Sequence, residues 1–185
     1  MRTLNLFLPV FLFSSVILGA NVSDIKVQLE KRCFVWAPSH CTDAHRKADQ
    51  NFIREVSKGR PPAEASPEVV KQGWNLLREK KDALHALFRF NQALILDEKN
   101  ADAWWGAGNS YTVLALPLNG EPLLRKAITL DPKLSGPHLS LAVALKQMGK
   151  VDEAQKEYGQ ALGLGAPSDG DLAKELGIGT SANRH

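Results

Sequence analysis

Apolar side chains recur along most of this chain at the three- and four-residue spacing of an amphipathic helix, and over its second half they do so in phase. Between residues 42 and 59, Ala44, Ala48, Phe52 and Val56 stand four residues apart with Ile53 beside them, which predicts one amphipathic helix. From residue 67 onward the pattern returns every 34 residues. Trp104, Gly108, Tyr111, Ala127 and Pro132 hold positions 4, 8, 11, 27 and 32 of a unit that starts at Ala101. One period downstream lie His138, Leu141, Ala142, Leu145, Ala154, Tyr158 and Ala161; one period upstream lie Val70, Leu77, Ala86, Phe90 and Ala93. The pattern defines three units, 67–100, 101–134 and 135–168.

Those columns match the W-x2-L-G-x2-Y…A-x3-F…P signature, and the chain resembles the tetratricopeptide repeat (TPR) family over rather more than half of its length. The resemblance implies an all-α solenoid of three helix-turn-helix repeats. A single unit cannot bury its apolar face, so neighbours stack into one continuous core and the end faces need capping. The helix at 42–66, with its linker and Trp74, is assigned to the N-terminal cap. A short helix within 169–178 closes the other end, and 179–185 is expected to be disordered. Ser66, Pro67 and Glu68 read as the N-cap, first-turn proline and first-turn carboxylate of the first repeat. In the second repeat, Pro117 and Pro122 predict a longer turn, with its second helix beginning near Pro122. Trp74 and Glu98 depart from the columns of the first unit, and Gly120 and Leu124 from those of the second.

The beginning of the chain bears on compartment. Arg2 is followed by an apolar run from Leu6 to Leu18 and then Gly19-Ala20. That is the layout of a secretory signal peptide cleaved after Ala20, and it predicts export across the inner membrane to the periplasm. The alternative is a short uncleaved anchor that keeps the protein close to a membrane. The two cysteines, Cys33 and Cys41, fall in the segment 21–41. In an exported chain their expected state is a disulfide closing the loop between them. A metal site built from Cys33, His40, Cys41 and His45 is the competing reading.

A net charge of +3 with scattered basic residues supplies no basic stripe for nucleic acid. No phosphate-binding loop, His-Glu-x-x-His or Gly-x-Ser-x-Gly occurs, and the histidines are dispersed. Neither an enzyme nor a cofactor is expected. The resemblance implies instead a concave groove formed by the first helix of each unit, which binds a peptide or a helix of another protein. Its lining in this chain would be Lys71, Asn75 and Arg78, then Trp105, Asn109 and Thr112, then Leu139, Val143 and Lys146. Lys71 and Asn75 match the first-repeat residues of family members that clamp a C-terminal carboxylate, but Gly106, Gly136 and Ser140 stand where the rest of that clamp would be. Trp105 is the expected hot spot. The function that follows is an adaptor or scaffold for another envelope protein during assembly or maturation. Self-association, with the groove filled by another copy or by the N-terminal segment, is one alternative, and a small metal-dependent enzyme built on Cys33, His40, Cys41 and His45 is the other.

Overall fold

The computed structural model describes residues 21–178; the leader assigned to 1–20 and the tail at 179–185 lie outside them. The described residues form α1 (Val22–Glu30), a 3₁₀ turn (Pro38–His40), α2 (Asp43–Ser57), α3 (Pro62–Arg78), α4 (Ala83–Leu96), α5 (Ala101–Val113), α6 (Pro117–Leu130), α7 (Ser135–Gln147), α8 (Val151–Gly163) and α9 (Gly170–Glu175). The pairs α3–α4, α5–α6 and α7–α8 are the three repeats. Each first helix packs on both helices of the preceding unit, so α3, α5 and α7 form a continuous inner row, while α4, α6 and α8 scarcely meet one another. An unbroken inner row and a splayed outer one make the inner face concave.

Small residues set the distance between helices. In the second unit a Cβ on Gly120 would stand 2.7 Å from the Gly108 carbonyl, and one on Gly108 would stand 2.6 Å from Leu124 Cγ. Glycine therefore replaces the usual alanine because α5 and α6 meet backbone to backbone. In the first unit the small residue is Gly73, next to the column that holds Trp74. A Cβ there would lie 2.7 Å from the ring of Phe90, a side chain wholly removed from solvent. The joint between the first two units is polar and closed. Ser66 Oγ donates to the Ala93 carbonyl at 2.9 Å and accepts from Asn100 Nδ2 at 2.8 Å. Trp104 Nε1 donates to the Glu98 carbonyl at 2.7 Å.

Three boundaries differ from the sequence reading. Helix α3 begins at Pro62, so Ser66 is an interior, buried residue rather than a cap, and Pro67 lies inside the helix. Helix α6 begins at Pro117, and Pro122 is likewise internal. Each internal proline frees the carbonyl four residues before it, at Ala63 and Leu118. Both of these residues are exposed, so water can take the freed group. Helix α1 was not anticipated; it buries only Ile25, too little apolar periodicity to read. The cap helix α2 forms, with Thr42 and His45 closing a reciprocal capping box. Ala44 and Ala48 are exposed, however, and only Phe52, Ile53 and Val56 join the core.

The turn inside each repeat uses one backbone device. Lys81 (φ 55°), Ala115 (φ 57°) and Gly149 (φ 76°) take the left-handed conformation at equivalent positions. Behind them Leu116 N–H bonds the Tyr111 carbonyl and Lys150 N–H the Leu145 carbonyl, each at 2.9 Å, which is the Schellman closure of a helix end. In the first repeat Asp82 N–H reaches back to Leu76 instead, one residue wider. Only the third repeat has glycine, the residue with no Cβ to collide with its own carbonyl.

Two substitutions test this geometry by chemical denaturation. Ala115→Gly relieves the turn and should stabilise by about 0.5–1 kcal/mol, whereas Gly149→Ala, which meets no neighbour, should destabilise by a similar amount. Gly120→Ala should destabilise by about 1–3 kcal/mol despite alanine's better helix propensity, because a backbone carbonyl blocks the methyl.

Candidate peptide-binding groove

The concave face is built by α3, α5 and α7, and aromatic rings tie these helices together before any ligand is considered. Phe90 of α4 lies under Gly73 of α3 and Gly106 of α5; a Cβ on Gly106 would fall 2.2 Å from its ring. Trp74 packs edge-on against Phe90 with centroids 5.1 Å apart and meets Trp105 at 4.5 Å. Trp74 thus belongs to the groove wall, not to the N-terminal cap. Its position in the small-residue column misled the sequence reading, because the adjacent Gly73 supplies the clearance that column requires.

Trp105 reaches the other way as well. Its six-membered ring covers Gly136 of α7, where a Cβ would stand 2.2 Å from Cζ2. Its Nε1 donates to Ser140 Oγ at 2.9 Å, and Ser140 Oγ donates to Asn109 Oδ1 at 3.1 Å. Trp105 is therefore half-buried, with its polar edge already satisfied. Glycine at 136 and serine at 140 are explained by this tryptophan, the one admitting its ring and the other accepting its indole N–H.

The remaining groove positions divide into two groups. Thr112, Leu139 and Val143 are buried and offer no surface to a ligand. The Thr112 hydroxyl is spent on the Gly108 carbonyl at 3.1 Å, and Leu139 and Val143 share a core cluster with Leu172, Ala173 and Leu176 from the α9 segment. Lys146 is ion-paired with Glu175 of α9. The sequence columns presume an open third unit, but the closing segment sits over it. Lys71, Asn75 and Arg78 on α3 are exposed, and Asn109 on α5 is half-exposed. These residues, with the two tryptophans, form the open part of the groove.

Asp102, in the first turn of α5, adds a carboxylate to this group. Its side chain still meets solvent, yet it stands in a concavity with protein on most sides. Burial pushes its carboxyl above the ordinary value; Arg78 opposes that rise and Asp131 adds to it. Arg78 also lies 5.4 Å from the centroid of the Trp74 ring. The open groove therefore combines a planar cation on an aromatic face, a partly desolvated carboxylate and two amide side chains. Such a set can hold a main chain and one or two charged side chains. It has no nucleophile beside a base. Cys33 and Cys41 are joined as a disulfide with Cα atoms 4.7 Å apart, which leaves no thiolate for the metal reading. His45 is engaged with Thr42 at 3.2 Å.

Removing the seam should cost more than binding: Trp105→Ala is expected to destabilise by about 3–5 kcal/mol in denaturant titrations. Asp102→Asn should have the opposite sign. An aspartate whose folded pKa is raised destabilises the fold when ionised, and the penalty fades as the pH falls through that pKa. The variant should melt above the parent at pH 7, and the difference should close as melts are repeated towards pH 4.

No family model and no curated protein matches the chain. Among solved structures it is similar to the TPR domain of Arabidopsis OM64, at 22% identity and a TM-score of 0.56, over 63% of this chain and 94% of that one. It is also similar to the first TPR domain of human RPAP3, at 19% identity and a TM-score of 0.54, over 60% of this chain and 86% of that one. With its three phased repeats and continuous inner row, the chain has the tetratricopeptide-repeat fold.

Proposed function

We propose that this protein is a non-enzymatic adaptor that holds a short extended segment of another protein across α3 and α5. The observation that carries the reading is the open groove itself. Asn75 and Asn109 flank the Trp74–Trp105 pair, and Asn109 Nδ2 makes no hydrogen bond among the described residues. A backbone laid across the tryptophans would be bonded by these amides, with Arg78 and Lys71 at the rim for an acidic side chain and Asp102 for a basic one. This is the arrangement of an apolar centre with a polar border found at binding hot spots.

The proposed setting is an exported one. The apolar run at Leu6–Leu18 reads as a leader, and a Cys33–Cys41 disulfide suits an oxidising compartment. In a bacterial envelope the partner would be another envelope protein during its assembly or maturation. No helix of the described residues is long and apolar enough to cross a membrane, so membrane proximity would come from residues 1–20 remaining attached. Mass measurement of the mature protein decides between cleavage after Ala20 and an intact anchor.

The groove is tested by selecting binders to the full chain from a random extended-peptide library. Affinity should fall about tenfold for Asn75→Ala, roughly one net hydrogen bond, with little change in melting temperature; Asn109→Ala should weaken binding similarly but also melt lower, because it takes the acceptor from the buried Ser140 hydroxyl. Selected peptides that bind both variants as well as the parent would place recognition outside this groove.

A further inference from the structure

The most specific recognition geometry in the molecule lies on the outer face, not in the groove. There the disulfide-closed turn 33–41 docks on α4 and α5. Asn91 of α4 holds its backbone at both ends of a residue: Oδ1 accepts from Val35 N–H at 2.9 Å and Nδ2 donates to the Cys33 carbonyl at 3.3 Å. The turn closes on itself through Ala37 N–H to the Phe34 carbonyl at 2.9 Å. Phe34, which is 4% exposed, stacks on Trp36 at 4.8 Å and on Phe88 at 6.2 Å. Trp36 also meets Trp104 at 6.0 Å and Tyr111 at 6.2 Å. Arg32 covers the ring of Phe88 at 4.4 Å. A side-chain amide paired with a main chain, beside a pocket filled by two aromatic rings, is how a protein binds a peptide; here the peptide belongs to the same chain.

We propose that the outer furrow of α4 and α5 is a second recognition site whose ligand is the disulfide-closed aromatic turn, and that it takes this turn from a second copy as well as from its own chain. The connection between ligand and site favours exchange. Everything before residue 58 joins the repeats through one short hinge, Lys58-Gly59-Arg60-Pro61. In that hinge a lysine is held at φ 49° and the next residue at φ 83°. Left-handed lysine is strained, and α3 starts immediately after with Pro62 at its first position. A short hinge under strain is the device that promotes segment exchange. A reciprocal exchange reforms every contact of the turn, so only the hinge conformation and the entropy of association separate monomer from dimer. Every copy carries the one ligand the furrow is known to fit.

The experiment is refolding from denaturant with the disulfide intact, at low and high protein concentration, followed by light scattering. The parent should return as monomer when dilute and as dimer when concentrated, and an excess of a synthetic disulfide-closed peptide of residues 33–41 should suppress the dimer. Trp36→Ala spoils the ligand and Asn91→Ala spoils the site. Refolded together, they should give mixed dimers several-fold above the level of either variant alone, because exchange pairs the intact turn of one chain with the intact furrow of the other. Far-UV circular dichroism confirms that each chain is helical. A parent that stays monomeric at every concentration overturns the proposal. So does a dimer that ignores the peptide and forms equally from each variant alone.

Discussion

Trp105 is the side chain on which the rest of the solenoid depends. The buried core falls into two clusters, one running from the N-terminal segment through α5 to Leu123 and Ala127 of α6 and the other from Leu124 of α6 to the α9 segment. Trp105 is the one partly buried hydrophobic residue that packs against both among the described residues. It does so because glycine at 136 admits its ring, serine at 140 satisfies its indole N–H, and Trp74 backs it on α3. In a solenoid each unit touches only its neighbours, so cooperativity passes through whatever spans the joints. Here one aromatic side chain spans two of them.

That role explains which parts of the molecule could be read from sequence. The repeat columns were legible because a period of this kind has one physical source, the stacking of helical pairs, and the packing residues Trp104, Tyr111, Ala127, Leu141 and Tyr158 all fall inside. The groove was less legible because its columns are defined for a surface whose neighbours are absent. Leu139 and Val143 occupy groove columns and are buried, in a cluster that the closing segment shares. Trp74 sits in a column for small residues and lines the groove, since the adjacent glycine does that column's work. The docking of the Cys33–Cys41 turn was out of reach altogether: its partner Asn91 lies 56 residues beyond Val35, and no local pattern announces a contact at that separation.

Proline tells the same story on a smaller scale. Pro67 and Pro122 were read as helix starts, yet each sits five residues beyond a proline that opens the helix. A helix tolerates such a residue near its first turns, where few internal bonds exist to lose and the orphaned carbonyl faces water. The local rule was right about the chemistry and wrong about which of two prolines it governed.

The closing segment also acts as a ruler. The α9 segment shares one apolar cluster with Leu139 and Val143, and its Glu175 pairs with Lys146, which closes off the third unit. The open floor is reduced to two inner helices. With packed helices about 8–10 Å apart and extended chain advancing about 3.3 Å per residue, that floor spans a segment on the order of five or six residues. In the proposed function that length sets a short word for recognition, with the flanking sequence of a partner left over solvent at both sides.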